Sequence, residues 1–217
     1  MTVFIIFQII ILLFSIVIHE VAHGYTAESL GDPTARVAGR LTLNPIKHLD
    51  IFGSIIVPLL LIISSSPFII GWAKPVPYNP NLLTKDRKYG PLKVALAGPL
   101  VNLAIAVFFG LILRVTFNLL PQILVAALGI IVFINILLGV FNLIPIPPLD
   151  GSKILTVILP PKYSMKVQRV GLIGIFLVFI FLIYFGSLIF TFTGILFKLI
   201  SGQAAWQTLL LILAGGF

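Results

Sequence analysis

The sequence predicts an all-α polytopic membrane protein with about five to six transmembrane helices. It also predicts a short strand or hairpin after the first helix and a re-entrant segment. Three observations carry that expectation. Of the 217 residues, 59% are apolar and 9% are charged, whereas soluble domains run at about 45–50% and about 25%. Mean hydropathy is +1.20. The apolar residues fall in long runs, and twelve of the 14 Lys and Arg side chains fall in three loops between them. This composition excludes a soluble domain, a disordered chain and a collagen-like fibre. The absence of cysteine excludes thiolate metal sites, a disulfide scaffold and a Cys nucleophile. The net charge of +8 reports membrane orientation rather than nucleic-acid binding, because its carriers flank apolar spans. Length suggests one domain over residues 1–217.

The elements follow in order. Residues 3–18 are free of charge and run without a breaker into His19, Glu20 and His23, and Gly31-Asp32-Pro33 is the first stop. One helix is therefore expected from Thr2 to Leu30. It has no basic leader and no small-residue cleavage site, so it is expected to remain in the mature chain. Residues 36–43 alternate partly and predict the short strand or hairpin, and Asn44-Pro45 is a turn. Residues 51–72 are apolar but interrupted by Ser64-Ser65-Ser66-Pro67, and residues 73–93 form a polar, basic loop. Residues 92–115, carrying Ala97-Gly98-Pro99, and residues 123–144 each suit a span, since about 20 apolar residues cross a bilayer. A polar stretch runs from 145 to 169. Residues 170–199 look too long for one span, with a break expected at Gly186-Ser187, and residues 206–214 form a short apolar tail.

The three basic loops, 31–50, 73–93 and 151–169, all belong on the cytoplasmic side by the positive-inside tendency. Segment 51–72 then starts and ends on one side. It is expected to dip into the membrane and return, with its tip near residues 64–67 and its non-helical backbone sheltered by protein or water.

The chemistry sits at the end of the first helix. His19-Glu20-Val21-Ala22-His23 is an HExxH motif. Positions i and i+4 share a helix face, so both imidazoles can hold one zinc ion. Glu20 is placed to act on a nearby water as general base. The alternative is a helix simply running out into water. The preceding 16 apolar residues argue against it, because ionisable groups in a membrane segment usually face a cavity or a partner. Two histidines do not complete a catalytic zinc site. Asp150 follows a strongly apolar helix whose end is unwound by Pro145, Pro147 and Pro148. An acid there suits a cation. It equally suits a turn, since Asp150-Gly151 is a common turn pair.

HExxH in the first helix, followed by Asn142-x-x-Pro145-x-x-x-x-Asp150-Gly151 in a later span, resembles the site-2 protease family of intramembrane zinc metalloproteases. The stretch from Gly31-Asp32-Pro33 to Asn44-Pro45 resembles its compact members. So do Gly71-Trp72-Ala73-Lys74-Pro75-Val76-Pro77 and Ala97-Gly98-Pro99-Leu100-Val101-Asn102. The likeness covers residues 1–158, with packing helices at about 165–217. The resemblance implies His19, His23 and Asp150 as ligands of one Zn2+ and Glu20 as catalytic base. It implies that Asn142 orients substrate or stabilises an oxyanion. Asn102 matches the family asparagine, with interhelical bonding as the alternative. His48 and Asp50 are expected to be structural or to support the site, and Glu28, Asp32 and Asp86 to be caps or surface charges.

The implied activity is cleavage of transmembrane segments near the cytoplasmic face of a prokaryotic cell membrane. The implied partners are a transmembrane substrate, the lipid bilayer and a regulatory membrane partner. No PDZ-like insertion or C-terminal regulatory module is evident in the sequence. Residues 36–43 or the 72–77 loop are expected to hold the unwound substrate. Other readings are a catalytically inactive relative that binds membrane proteins as a scaffold, and an ion transporter using the intramembrane His and Asp.

Overall fold

The computed structural model describes residues 2–64, 71–159 and 171–214, with side chains left aside at 2, 3, 55, 156, 157, 171 and 172. Its helices are α1 (Thr2–Ser29), α2 (Thr34–Val37), α3 (Val57–Ile63), α4 (Gly90–Thr116), α5 (Gln122–Asn142), α6 (Ser152–Ile158), α7 (Gly171–Ser201) and α8 (Gln203–Leu213). Short 3-10 turns cover Pro45–His48 and Pro80–Leu82, and a π-type turn over Ile51–Ile56 leads into α3.

Among the described residues four helices are long and apolar enough to cross a membrane: Phe4–Ser29, Gly90–Thr116, Gln122–Asn142 and Ile173–Ser201. This corrects the expected five to six. Segment Ile51–Ile63 and helix Gln203–Leu213 are too short, reaching only about 20 Å and about 17 Å at 1.5 Å per residue. The expected break at Gly186 is also absent, because α7 runs through it. A Cβ on Gly186 would meet nothing within 4 Å, so this glycine faces outward. In lipid, opening a helix exposes backbone groups that nothing satisfies, and that outweighs glycine's weak helix propensity of about 1 kcal/mol. The helix stops at Gly202 instead, where φ is +96° and α8 turns back.

The strand expected at 36–43 does not form, and no strand occurs among the described residues. Local bonding takes its backbone groups. Asp32 accepts from the Thr34 N–H and hydroxyl and so opens α2. Gly39, at φ +63°, closes α2 with a Schellman turn: Arg40 N–H donates to Ala35 O and Gly39 N–H to Arg36 O, each at 2.9 Å. The chain then continues without regular structure to Asn44, whose side chain caps the 3-10 turn at Ile46 N–H.

Helices α1, α4 and α5 pack together, and α7 and α8 close around α4 and α5. The apolar core joins α4, α5, α7 and α8 through Ala106, Leu113, Ile130, Ile136, Phe197 and Leu209. Trp206 of α8 packs among Phe133, Phe190 and Phe197. Outward positions such as Ile5, Ile9, Phe108 and Ile180 are exposed apolar residues, as a lipid-facing surface requires. The two ends of segment 51–72 meet: Trp72 N–H donates to Gly53 O at 3.1 Å, and Ser54 Oγ–H to Trp72 O at 2.9 Å. Of the expected tip at 64–67, residues 65–67 lie outside the described residues. Lys162, Lys166 and Arg169 of the third basic loop also lie outside them.

Candidate metal centre

Two helices and the turn after a third build the site. In α1, His19 and His23 point from one face, with ring centroids 4.7 Å apart. Between them, the first turn beyond His19 carries Glu20. In α4, Gly98 lies directly beneath both rings. A Cβ there would sit 2.5 Å from His19 Nε2 and from His23 Nε2, so only glycine lets the imidazoles lie against this backbone. After α5 the chain folds back on the helix end. Gly151 N–H donates to Asn142 O at 2.7 Å, and a Cβ on Gly151 would run into the Leu143 carbonyl. That turn delivers Asp150 to the histidines. Its Oδ2 lies 2.9 Å from His19 Nε2 and 3.2 Å from His23 Nε2. One ligand atom from each of His19, His23 and Asp150 lies within 4.8 Å of the others.

The donor chemistry of this cluster calls for a cation. His23 Nδ1 lies 2.6 Å from Val94 O. A carbonyl only accepts, so Nδ1 carries the proton. In the neutral ring Nε2 then presents a lone pair to Asp150. His19 has the same polarity. Its Nδ1–H donates to Asn102 Oδ1 at 2.6 Å, while the Asn102 amide N–H donates to Ser15 O and to Asn135 Oδ1. Two imidazole lone pairs and a carboxylate oxygen thus face one another, an arrangement that needs positive charge between them. Outer-shell acceptors on the far ring nitrogen are the usual way of fixing a metal-binding histidine. The residues present fit a divalent metal with an N,N,O ligand set.

A strap of irregular extended chain, residues 71–79, crosses beside the cluster. Val76 N–H donates to Glu20 Oε2 at 2.8 Å, which fixes the carboxylate of the motif glutamate. The strap is tied down along its length. Lys74 N–H donates to His48 O at 2.9 Å, Arg40 Nη2 donates to Lys74 O at 2.6 Å, and Asn79 N–H donates to Asp32 Oδ2.

The sequence-predicted residues sort plainly. His19, His23 and Asp150 come together, with Glu20 adjacent in α1. Asn142 lies at the end of α5, and its side-chain amide donates to Leu138 O one turn back, at 3.0 Å. Asn102 touches His19. His48 is buried, with Nε2–H donating to Thr42 O, and it falls outside the cluster. Asp50 caps the next turn by accepting from Gly53 N–H at 2.7 Å. Asp32 is a fully buried cap, Asp86 accepts from Tyr89 N–H and pairs with Lys93, and Glu28 pairs with Arg36. Sequence reasoning missed Ser15, Asn135, Gly98 and Val76. Two carried a signal. Ser15 is one turn before His19 on the same face. Asn135 is a lone amide inside an apolar helix, where polar groups mark interhelical bonds.

An apolar bundle that closes an HExxH helix against a carboxylate defines a membrane-embedded metalloprotease. Comparison with known proteins bears this out. The family described as Peptidase family M50 matches residues 118–185. "Putative zinc metalloprotease YwhC" of Bacillus subtilis is 40% identical over 184 residues, covering 81% of this chain and 79% of that protein. "Putative zinc metalloprotease Rip2" of Mycobacterium tuberculosis is 34% identical over 150 residues, 69% of this chain and 56% of its own length. "Zinc metalloprotease MJ0392" of Methanocaldococcus jannaschii is 28% identical over 158 residues, 71% of this chain and 35% of its own. No solved structure matches the chain. The chain belongs to peptidase family M50, the site-2 protease family of zinc metalloproteases.

Proposed function

We propose that this chain acts as one membrane-embedded unit that cleaves transmembrane segments near the cytoplasmic face, in regulated intramembrane proteolysis. The observation that carries the reading is the convergence of His19 Nε2, His23 Nε2 and Asp150 Oδ2 beside Glu20, at the end of three apolar helices. His19, His23 and Asp150 hold the metal. A zinc ion there supplies Lewis acidity to a water and to the scissile carbonyl. Glu20 takes the water's proton on its carboxylate and passes it to the leaving amine. Val76 N–H holds that carboxylate in place beforehand. Asn142 turns its amide from Leu138 O towards the developing oxyanion, or orients the substrate backbone. Its position at the turn that carries Asp150 supports that role.

The charge pattern supports the orientation. With the loops rich in Lys and Arg inside, α1 runs inward. His19 then lies about 24 Å along its apolar stretch, roughly one turn short of the cytoplasmic boundary. The meeting of Gly53 with Trp72 supports a segment 51–72 that enters and leaves the membrane on the same side. A helical substrate must unwind before its carbonyls can be attacked, and the strap at 72–77 is placed to hold the opened chain.

The test is a matched pair in detergent, wild type and Glu20→Gln. One zinc per chain is expected in both, with cleavage of a model transmembrane substrate slowed by about 10²–10⁴-fold in the variant. Undiminished cleavage by Glu20→Gln would remove Glu20 as base. Equal zinc with no cleavage in either protein would favour the scaffold reading.

A further inference from the structure

We propose that Asn135 is a positioning residue for the metal centre, setting through Asn102 which nitrogen of His19 faces the metal. The inference rests on His19 as a metal ligand and reaches two side chains beyond it.

The argument follows the polarity of one hydrogen-bonded chain. An asparagine amide has two nearly isosteric orientations. With Oδ1 towards His19, Asn102 accepts from Nδ1–H and leaves Nε2 free to bind a metal. Turned over, it would present N–H groups to Nδ1. The ring proton would then move to Nε2, and the ligand nitrogen would be lost. The orientation of Asn102 is set by the groups behind it. Its amide nitrogen lies 2.8 Å from Asn135 Oδ1 and 3.3 Å from Ser15 O, so the shorter bond is to Asn135. Asn135 is itself an amide with two orientations. Its nitrogen is fixed by the Ile131 carbonyl at 2.9 Å, with Ser15 Oγ at 3.0 Å. A backbone carbonyl only accepts and has no second state. The instruction therefore starts at Ile131 O in α5, passes through Asn135 and Asn102, and ends at His19 Nε2 in α1.

The chain is well placed to act this way. Asn102 is 0% exposed, Asn135 1% and Ser15 4%, so no solvent competes for their hydrogen bonds. The same bonds pin α1, α4 and α5 to one another at the depth of the metal cluster.

The experiment uses the whole 217-residue chain in detergent, in five forms: wild type, Asp150→Ala, Asn135→Leu, Asn135→Asp and Ile136→Ala. Zinc affinity is read by chelator competition, and ligand geometry by the visible absorption of the Co2+-loaded protein. Asn135→Leu keeps the shape and removes both hydrogen-bonding functions. It is expected to weaken zinc binding by about 10–100-fold and to shift the Co2+ spectrum. A neutral Asp at 135 can donate to Ile131 O and accept from Asn102, so Asn135→Asp is expected to restore most of the affinity. Ile136→Ala, a buried neighbour outside the chain, is expected to lower thermal stability and leave the metal untouched. If Asn135→Leu fails to fold, Asn135→Ala removes the same acceptor with a smaller side chain and is read in the same way. Wild-type zinc affinity and spectrum in the Asn135 variant, alongside loss of metal in Asp150→Ala, would overturn the proposal. Equal zinc in wild type and Asp150→Ala would instead overturn the ligand reading and the inference with it.

Discussion

His23 illustrates how much one acceptor decides. Because Val94 O can only accept, Nδ1 keeps its proton and Nε2 turns its lone pair to Asp150. The two histidines could be read from the sequence, since i and i+4 share a face whatever the rest of the fold does. Asp150 was legible only as an acid stranded after prolines, and its partner became clear from the turn that Gly151 closes. Gly98 was visible as part of Ala97-Gly98-Pro99, but its role was not. That role exists only where α4 crosses α1, and no local pattern encodes a crossing. The close approach makes a sharp prediction. In Gly98→Ala the new methyl would lie 2.5 Å from His19 Nε2 and from His23 Nε2. These are ring atoms held by Asn102 and Val94, so they cannot swing away cheaply. Zinc per chain is expected to fall to a small fraction of the wild-type value by metal analysis, with helix content by circular dichroism unchanged. Full zinc occupancy in this variant would mean that the rings bind metal from another position.

The long helices were legible because lipid leaves the backbone few options. A run of apolar residues must bond internally, and only the helix does so within one segment. The expected α1, α4 and α5 accordingly match the structure to within a residue or two at most ends. The same rule carried α7 past Gly186, where the length of the apolar run suggested a break. The segments that escaped sequence reading are those whose partners lie far along the chain. Residues 71–79 owe their path to Asp32, His48, Arg40 and Glu20, and nothing within the strap announces this. Residues 36–43 looked like a strand because their alternation was weighed without the Asp32 cap or the Gly39 turn. Asp32 therefore organises two elements, opening α2 and anchoring the strap at Asn79. Asp32→Ala would remove a buried carboxylate from the N–H groups of Thr34 and Asn79, both half-buried residues. A loss of about 1 kcal/mol or more is expected, since a fully buried orphaned group costs about 1–3 kcal/mol and partial exposure reduces that, seen as a lower midpoint in thermal unfolding. Cleavage should fall further than zinc content, because the strap that steadies Glu20 is loosened while the ligands are not touched. Parallel loss of both would place the strap's contribution in metal binding instead.

At the scale of the whole molecule, the site depends on residues of three helices meeting at one end of the bundle. The C-terminal half of α1, the N-terminal half of α4 and the turn after α5 all reach the candidate metal cluster. With alternate crossings, this is possible only if the loop from α1 to α4 and the loop after α5 share a side. Those two loops carry most of the basic residues, while loop 117–121 between α4 and α5 carries none. Charge distribution and ligand geometry are independent observations, and they demand the same topology. Because the chain lacks cysteine, single substitutions can report sidedness cleanly. Arg87 lies exposed in the first of these loops, and Leu119 is 79% exposed at the opposite turn. In intact cells, a membrane-impermeant thiol reagent is expected to label Leu119→Cys and spare Arg87→Cys until the membrane is opened. The reverse pattern would put the metal cluster at the outer face. The ligand set would survive that result, since it needs only a common side, but the proposed cytoplasmic cleavage would not. Labelling of both in intact cells would break the alternation of α1, α4 and α5, and with it the packing that brings Asp150 to the histidines.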